Sequence, residues 1–430
     1  MLNDTINILS LESYRDQIET IDLVKENNQL VYEIKQKRRN IPCPTCGLNE
    51  SNIHSYLIKK IVHSIHNQMT CNLLIKYHRY RCKHCKQVYS EPAILAKRYE
   101  TISQYTKLQI LDDLRVPTNT FTVIGKKHHI STQTVINLFD QYVEPKRLKL
   151  TNVICMDEFY LGKRSKLKYA CVLLDFELGD IIEVFDTRHK HKLIDQLLRI
   201  PINERVAVQY VIIDMWDSYR DVIHKCFRNA KIAVDSFHVI WHLNKAMNDI
   251  RIRVMNRYKK KASSSIHNDI YYYMLKKYYF FLLVDYDKLG NEYVVPKLKT
   301  RYTKDNLLHY LLSIDDDLKM AFELKETYRD FNKTANKDTT LEDLEEIIQR
   351  FKKSPLEEMR KVGKMLNNWK TEILNSFIKI DGKRLSNSKI ENKNSQIKTI
   401  MKTANGYKGF YRLRNRILFS LNKNTPIKGK

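Results

Sequence analysis

The sequence predicts an α/β domain, with a mixed sheet and flanking helices, that carries a large all-α insertion. A small cysteine-rich module and a pair of short helices precede this domain. Between residues 150 and 240, apolar β-rich runs alternate with polar turns, whereas residues 241–376 have helical periodicity with charged faces. Only 10 glycines and 9 prolines occur in 430 residues, which indicates long regular elements and argues against a loop-rich fold.

Basic residues outnumber acidic ones. Lys and Arg total 75 against 49 Asp and Glu, so the formal net charge is +26. An excess of this size makes nucleic acid the leading candidate partner. The alternative explanation is an A+T-rich coding sequence, which enriches Lys, Asn, Ile and Tyr. Such a bias does not explain why acidic residues are so much fewer.

Nothing in the sequence predicts export or membrane insertion. The first residues lack the basic-then-apolar order of a secretory signal. No apolar run approaches the roughly 18 residues of a membrane span. Four of the eight cysteines form two tight pairs, which fits metal binding in a reducing compartment better than disulfides. We therefore expect a cytoplasmic protein with no membrane partner.

The first candidate site consists of two C-x-x-C pairs within residues 41–92. Cys43 and Cys46 form the first pair, and Cys82 and Cys85 form the second. Each pair offers two thiolates to one tetrahedral ion, so the two pairs together predict a structural zinc site. Alternating apolar residues between the pairs predict a small sheet. A redox pair is the alternative, but the absence of a thioredoxin-like context and the many flanking cations count against it.

Residues 98–145 predict a helix-turn-helix. Two short helices, Phe121–Lys127 and Thr132–Tyr142, flank a break, and Ser131 is a favourable N-cap for the second. In this arrangement the second helix presents side chains to base edges of DNA. The predicted DNA-binding residues are Thr132, Gln133, Asn137, Lys126 and Lys127. An ordinary helix pair of an all-α domain is the alternative, since the turn itself lacks a glycine.

In the α/β region two aspartates end apolar runs. Asp157 ends the first run and Asp214 ends a later one. Carboxylates at neighbouring strand ends can share a pair of divalent cations, although Asp at a strand end is also common in α/β proteins without metal. The predicted elements after Asp157 are strands at Tyr169–Asp175, Asp180–Phe185 and Val208–Asp214, a helix at Ser218–Phe227 and a strand at Lys231–Asp235.

A third carboxylate, Glu391, lies in a helical stretch near the end of the chain. Steps of three and four residues place Asn394, Lys398 and Lys402 on roughly the same helix face, which suits metal ligation beside a phosphate backbone. The alternative is a capping box that begins at Ser388, in which Glu391 only caps the start of the helix.

Two neighbouring acids compete with these assignments. Glu158 follows Asp157, but alternation along a strand is expected to turn it to the opposite face. Asp217 follows Asp214, and we expect it to cap the next helix.

Four further residues are candidates for supporting roles. Asp235 ends another predicted strand and His238 follows three residues later, so both are candidate accessory residues. Arg188 is a candidate phosphate contact. We expect Trp241 to be a core residue, with stacking on a DNA base as the alternative, and the same applies to Trp216.

Taken together and in this order, several segments resemble the ISL-three family of insertion-sequence transposases, from about residue 40 to residue 420. The matching segments are Cys43-Pro44-Thr45-Cys46-Gly47 with Tyr80-Arg81-Cys82, Met156-Asp157-Glu158-Phe159, Ile213-Asp214-Met215-Trp216-Asp217-Ser218-Tyr219, Val234-Asp235-Ser236-Phe237-His238-Val239, Ile390-Glu391-Asn392-Lys393-Asn394-Ser395 and Ala404-Asn405-Gly406-Tyr407-Lys408-Gly409-Phe410.

The resemblance implies an RNase H-like catalytic domain whose acidic triad falls on Asp157, Asp214 and Glu391, with two Mg²⁺ or Mn²⁺ ions as cofactors beside the structural Zn²⁺. This domain would comprise residues 150–240 and 377–420, interrupted by the helical insertion at 241–376. Outside it lie an N-terminal segment at 1–40, the zinc-binding module at 41–92, the helix-turn-helix at 98–145 and a basic tail at 421–430.

The resemblance further implies an enzyme that binds the terminal inverted repeats of its insertion sequence and catalyses metal-dependent DNA cleavage and strand transfer. The implied partners are double-stranded DNA, from the element ends and the target, and further copies of the chain in a homodimer or higher oligomer. The implied setting is the nucleoid of a prokaryotic cell. Two alternatives remain: a sequence-specific DNA-binding regulator with a catalytically silent RNase H-like domain, and a structure-specific DNA nuclease.

Overall fold

The computed structural model describes residues 2–26, 29–66, 69–163, 165, 167–261, 265–335 and 340–428. The chain divides into two compact units, residues 1–146 with 395–430, and residues 147–394. Each unit is described by itself. Among the described helices, none is long and apolar enough to cross a membrane.

The first unit begins with a five-stranded sheet. Helix α1 (Leu2–Ile8) precedes strands β1 (Ile18–Glu26), β2 (Gln29–Gln36), β3 (Ser51–His66), β4 (Met69–Cys82) and β5 (Val88–Ser90). The strand order is β1-β2-β4-β3, with β5 also paired to β4. Strands β2 and β4 run parallel, and the other neighbours are antiparallel. The sheet therefore joins strands from both sides of residue 40.

Alternation along these strands gives the sheet one buried face. Ile34, Ile61, Leu73 and Ile75 are fully buried in a core that also includes Ile6 of α1. The small sheet predicted between the cysteine pairs is thus present as β3 and β4. The two N-terminal strands extend it, because β2 supplies a parallel neighbour for β4.

Three short helices follow the sheet, α2 (Gln104–Asp113), α3 (Phe121–Lys127) and α4 (Thr132–Tyr142). The bounds of α3 and α4 match the prediction, and the Ser131 hydroxyl accepts a hydrogen bond from the Thr134 N–H at 3.0 Å. The turn itself lacks a glycine, but Gly125 inside α3 allows α3 and α4 to approach each other closely. A Cβ on Gly125 would stand 2.9 Å from the Ile130 carbonyl oxygen, so only glycine permits this close approach.

The second unit is built on a mixed five-stranded sheet. Its order is β10-β9-β6-β7-β8; β6, β9 and β10 run parallel, whereas β7 is antiparallel to both β6 and β8. The strands are β6 (Val153–Tyr160), β7 (Tyr169–Asp175), β8 (Ile181–Phe185), β9 (Tyr210–Ile213) and β10 (Lys231–Val234). Helices α5 (Lys190–Leu198) and α6 (Ile202–Ala207) lie between β8 and β9, and α7 (Asp217–Cys226) lies between β9 and β10.

The mixed sheet with flanking helices confirms the α/β class. Each predicted strand and the predicted helix of this region is present, with ends displaced by one or two residues. Asp217 was expected to cap α7, and this was wrong. It is the first residue of the helix, Trp216 holds the cap position, and the Asp217 carboxylate is exposed 3.6 Å from Arg220.

A helical block follows the sheet strands. It contains α8 (Ser236–Lys261), α9 (Ile266–Lys277), β11 (Glu292–Val295), β12 (Thr300–Thr303), α10 (Lys304–Leu312), α11 (Asp316–Thr334), α12 (Thr340–Lys353), α13 (Glu357–Asn368) and α14 (Lys370–Asn375). The prediction of an all-α insertion was therefore wrong in one detail. Strands β11 and β12 pair as a hairpin, where alternating β-branched and aromatic residues favour extended backbone.

The buried residues of the helical block and of the sheet form one continuous core. Ile154 of β6 and Ile213 of β9 belong to the same cluster as Leu243 and Met247 of α8 and Tyr328 of α11. The block and the sheet therefore stabilise each other by shared burial of apolar surface.

The chain ends with β13 (Lys379–Ile380), β14 (Lys383–Arg384), α15 (Ser388–Thr403) and α16 (Phe410–Leu421). The division between the two units falls inside α15, after Asn394. Phe419 of α16 is buried with Ile124, Val135 and Phe139 of the helix pair, all within the first unit. Residues 429 and 430 of the predicted basic tail lie outside the described residues.

Candidate active site

Asp157 and Asp214 lie on neighbouring parallel strands of the second unit's sheet, Asp157 within β6 and Asp214 directly after β9. Strands β6 and β9 are parallel, and the last registered pair between them is Cys155 with Ile212. Each aspartate follows its member of that pair by two residues. Asp214 directly follows β9, as predicted, whereas Asp157 lies inside β6, which continues to Tyr160 and pairs Asp157 with Val172 of β7. The prediction that Asp157 ends its strand was therefore wrong, because the apolar run stops before the backbone pairing does.

Two asparagines from the last part of the unit hold these carboxylates. The Asn394 side-chain amide, on α15, donates to Asp157 Oδ2 at 2.7 Å. The Asn387 amide, in the residue before α15, donates to Asp214 Oδ1 at 3.0 Å. An amide N–H group therefore orients each aspartate. Both asparagines are buried, and the carbonyl oxygen of the same amide has no hydrogen-bond partner among the described residues.

Glu391 lies between these asparagines in sequence, four residues after Asn387 and three before Asn394. Its side chain is exposed on the first turn of α15. Because α15 begins at Ser388, the residue before the helix is Asn387, so the alternative of a capping box with Ser388 as the cap is not supported. The burial of Asn394 corrects the expectation that it shares an outward face with Lys398 and Lys402.

The carboxyl groups have raised pKa values. Burial raises the pKa of Asp157 to about 7, and the negative charge of Asp214 adds to the shift. Burial also raises the pKa of Asp214 to about 7, with further contributions from Asp235, Glu158 and Glu391, while the Asn387 amide acts in the opposite direction. The charge of each acid therefore opposes ionisation of the others, which makes the cluster a favourable environment for a cation.

Asp235 and His238, the predicted accessory residues, both lie beside Asp214. Asp235 follows β10, is buried, and accepts a hydrogen bond from the Asn387 backbone N–H at 3.3 Å. His238 Nε2 lies 3.0 Å from Asp214 Oδ2 without the alignment of a hydrogen bond, so this contact is electrostatic. Both residues therefore contact the aspartate or the segment that orients it.

Glu158, which was expected on the face of β6 opposite to Asp157, lies near Asp214. It lines a cavity together with Asp214, and Arg188 Nη1 lies 2.9 Å from its carboxylate. The Arg188 guanidinium packs 3.6 Å from the ring centre of Tyr169 and 5.2 Å from that of Trp216. Asp157 itself is not among the residues that line this cavity.

This cavity has a volume of about 380 Å³. Its lining residues are Glu158, Asp214, Met215, Trp216, Phe237, His238, Trp241 and His242. Trp216 is half-buried, whereas Trp241 is exposed, so the expectation that Trp241 is a core residue was wrong. It lies in the second turn of α8, where it lines the cavity instead of the core.

The four cysteines of the predicted zinc site come together in the first unit. Cys43 Sγ lies 3.5 Å from Cys85 Sγ, Cys46 Sγ lies 3.6 Å from Cys82 Sγ, and all four sulfur atoms lie within 4.8 Å of one another. Tetrahedral zinc with bonds of about 2.3 Å would separate its sulfur ligands by about 3.8 Å, so the cluster is compatible with structural zinc.

The two cysteine turns have matching backbones. The residue after each pair has a positive φ, +74° at Gly47 and +61° at Lys86. Backbone N–H groups of Cys46 and Thr45 lower the pKa of the Cys43 thiol to about 6, which favours the thiolate form that binds metal.

Within the described residues, these four cysteines are the one group of three or more His, Cys, Asp or Glu side chains whose ligand atoms are close enough together to hold an ion. Asp157, Asp214 and Glu391 do not form such a group. Amide donors hold Asp157 and Asp214, and Glu391 is exposed.

The predicted DNA-binding residues of the first unit differ in their surroundings. Gln133 and Asn137 are exposed on α4 and hydrogen-bonded to each other at 2.8 Å, and Thr132 is half-buried. Lys126 is exposed on α3, whereas Lys127 pairs with Asp113 at 2.7 Å. Two more predicted contacts, Lys398 and Lys402, are exposed on the later part of α15.

Comparison with known families gives one match. Residues 154–417 match the family model of the ISL-three transposases, described as transposase, and the matched range is more than half of the chain. The chain belongs to the ISL-three transposase family. No curated protein matches the chain.

The part of the transposase that matches the family contains all three predicted acids, the two asparagines and the cavity. It does not include the four cysteines or helices α2 to α4. The family assignment therefore bears on the sheet, the helical block and the last helices.

Sequence reasoning missed Asn387 of the transposase and named Asn394 only for its helix face. Asn387 and Asn394 stand four residues before and three residues after Glu391, so their helical spacing was the available signal. Glu158 had no comparable signal, because its approach to Asp214 depends on the shape of the sheet edge.

Proposed function

We propose that this transposase binds the terminal inverted repeats of its insertion sequence and catalyses divalent-metal-dependent cleavage and strand transfer at its second unit. The observation that carries the proposal is the placement of Asp157 and Asp214 on neighbouring parallel strands, each two residues beyond the last registered pair of β6 and β9. The central strand β6 carries the first acid and its parallel neighbour β9 ends at the second. This arrangement supports an RNase H-like catalytic domain.

The residues present fit a pair of Mg²⁺ or Mn²⁺ ions. The donors are carboxylate and amide oxygens, which these hard cations prefer. Two buried amide oxygens, of Asn387 and Asn394, have no partner among the described residues. Burial raises the pKa of Asp157 and of Asp214, so a bound cation would favour their ionised forms. We assign the ions to Asp157, Asp214 and Glu391. When bound, such ions activate a nucleophile and stabilise the leaving oxygen in phosphoryl transfer.

The chain's own residues orient the reaction. The Asn387 and Asn394 amides fix the direction of the Asp214 and Asp157 carboxylates, and Glu391 approaches from the exposed first turn of α15. In the first step a water oxygen bonds to the scissile phosphorus and the 3′ oxygen of the element leaves as a hydroxyl. In the second step that 3′ hydroxyl oxygen bonds to a target phosphorus and displaces the target's own 3′ oxygen. Neither step requires a covalent bond to the protein.

We assign recognition of the element ends to the first unit. Zinc bound by Cys43, Cys46, Cys82 and Cys85 would fix the two cysteine turns, and α4 would present Gln133, Asn137 and Thr132 to bases. Lys126, Lys127, Arg188, Lys398 and Lys402 would contact phosphates. For Arg188 this requires exchange of its ion pair with Glu158, because its guanidinium is occupied there. A homodimer or higher oligomer would hold two ends.

The decisive experiment is a nicking assay. The DNA is a duplex that contains the inverted repeats flanking the gene, incubated with the full-length protein and Mg²⁺ or Mn²⁺. We expect nicking at the element end and joining to target DNA, and we expect Asp157→Asn to lower the nicking rate by about three orders of magnitude while end binding persists. Undiminished nicking by Asp157→Asn would refute the assignment of the acids.

The same assay separates the two alternatives. A DNA-binding regulator would bind the ends and cut nothing at any metal concentration. A structure-specific nuclease would nick branched DNA without joining the product to a target. Either pattern from the unaltered protein would overturn the proposed function.

A further inference from the structure

Two large aromatic side chains stand exposed at the cavity beside Asp214. Phe237 and Trp241 lie four residues apart on α8, so both project from the same side of the helix toward the cavity that they line. Their exposed fractions are 59% for Phe237 and 51% for Trp241. Adjacent exposed aromatic rings in a concave site indicate a surface that contacts a ligand.

Trp216 also lines the cavity and is packed against its neighbours. Trp216 follows Asp214 by two residues, and its ring packs against the buried Tyr219 at 4.7 Å between ring centres. The Arg188 guanidinium lies 5.2 Å from the Trp216 ring and also pairs with Glu158. An aromatic face is therefore held in place directly beside a carboxylate that we assign to catalysis.

The lining favours a flat, uncharged and partly polar ring system. Rings of Trp216, Phe237 and Trp241 offer stacking surfaces, while His238, His242 and Glu158 offer hydrogen-bonding groups. Glu158 and Asp214 make the site unfavourable for a phosphate, because both carry negative charge when ionised. A volume of about 380 Å³ is at the small end of ligand sites.

We propose that this cavity binds one nucleobase, unstacked from the DNA, of a nucleotide next to the phosphodiester that is cut. The inference rests on the proposed function, since only cleavage at Asp214 brings DNA to this wall. A base inside a duplex cannot reach a concave site without leaving the stack, and aromatic side chains compensate for the stacking that the base loses. The cavity would thus align the scissile phosphate by holding the adjacent base.

Intrinsic fluorescence tests the proposal on the unaltered protein. The chain has three tryptophans, and Trp216 and Trp241 line the cavity, whereas Trp369 is buried outside it. The probes are an end-containing duplex and the same duplex with abasic nucleotides on both sides of the nick position. We expect the intact duplex to quench the fluorescence more strongly than the abasic duplex at equal saturation. Equal quenching by the two probes would overturn the proposal.

A kinetic test uses Trp241→Ala, Trp241→Phe and the matched control Tyr279→Ala. Tyr279 is an exposed aromatic residue of the same unit that does not line the cavity. On fully paired DNA we expect Trp241→Ala to lower the single-turnover nicking rate about ten- to a hundredfold, because stacking on an aromatic side chain is lost. Trp241→Phe should retain most of the rate, and Tyr279→Ala should match the unaltered protein.

A mismatch opposite the extruded base should reduce the defect of Trp241→Ala, since less stacking then has to be broken. This rescue distinguishes a base-binding role from a structural one. If the unaltered protein nicks the duplex and Trp241→Ala nicks it equally well, the cavity proposal fails and the proposed function stands. If the unaltered protein does not nick any end-containing duplex, it is the proposed function that fails.

Discussion

The cysteine cluster and the carboxylate site differ in how their ligands are brought together. The four thiols come from two tight turns, and their sulfur atoms already lie within 4.8 Å of one another. The carboxylates come from β6, from the end of β9 and from α15, and amides of Asn387 and Asn394 hold two of them. Both aspartates have raised pKa values, whereas among the thiols the pKa is lowered for Cys43 and Cys82 and raised for Cys85.

The difference shows what each kind of site demands of the chain. In the cysteine cluster, backbone N–H groups of the turn stabilise the thiolate locally, so a short motif supplies both ligands and their support. In the carboxylate site the sheet sets the position of the aspartates and a distant helix supplies the donors that orient them. The first site depends on local backbone, and the second depends on tertiary packing.

The largest expected effect is the loss of Cys82, which we assign as a zinc ligand. We expect Cys82→Ser to abolish stoichiometric zinc binding and to unfold the sheet of the first unit, because metal binding contributes to folding in small cysteine modules. Zinc content and proteolysis of the first unit measure this outcome. The control is Cys226→Ala, which removes a buried thiol of α7 in the second unit. Full zinc occupancy in Cys82→Ser would show that the cluster is not the zinc site.

Loss of an orienting amide should weaken the carboxylate site without unfolding it. We expect Asn394→Ala to lower the affinity for Mn²⁺ about ten- to a hundredfold, since groups that orient metal ligands typically contribute that much. Calorimetric titration of the zinc-loaded protein with Mn²⁺ measures this directly. Asn392→Ala, an exposed position on the same helix, is the matched control. An unchanged Mn²⁺ affinity in Asn394→Ala would mean that the amide does not support the site.

The carboxylate site should also make stability depend on pH. The pKa of Asp214 is about 7 in the folded protein and about 3.9 when unfolded, so folding favours the protonated form. This stabilisation is present at pH 4 and is lost as the pH rises through 7. Between pH 5 and pH 8, zinc-loaded protein without Mg²⁺ should lose on the order of 1–3 kcal/mol more unfolding free energy than Asp214→Asn. If thermal unfolding shows the same pH dependence of stability for the unaltered protein and for Asp214→Asn, the raised pKa of Asp214 is contradicted.

The smallest effect concerns the backbone of the cysteine turns. Gly47 has a φ of +74°, and no atom lies within 4 Å of the position that a Cβ would occupy. Gly47→Ala should therefore cost about 1 kcal/mol of unfolding free energy from backbone strain alone. Lys86→Gly, at the matching position of the second turn, should raise the unfolding free energy by less than about 1 kcal/mol. Denaturant unfolding of zinc-loaded protein measures both changes, and equal effects of the same sign would contradict the matched geometry.

The sequence predicted the elements that depend on local pattern. The bounds of α3 and α4, the hairpin strands and the two cysteine pairs all follow from periodicity, capping or spacing. The strand-end position of Asp214 also followed, because apolar runs mark strands, whereas Asp157 lies inside β6. The family assignment from the quoted segments was confirmed by the match over residues 154–417.

The sequence could not predict contacts that depend on packing between distant segments. The pairing of β2 with β4 joins strands across the cysteine module, and a parallel pairing leaves no turn signal. Trp241 was misplaced because the approach of α8 to the cavity depends on packing between distant segments. The short hairpin of β11 and β12 was hidden within a strongly helical region.

The amide contacts of Asn387 and Asn394 span long stretches of chain. They cover 173 residues from Asp214 to Asn387 and 237 from Asp157 to Asn394. A polypeptide emerging from the ribosome exposes the strands that carry both aspartates long before it exposes the segment that orients them. A product truncated anywhere in the helical block would contain both aspartates but neither of the asparagines that hold them. Such a fragment would therefore lack a finished carboxylate site.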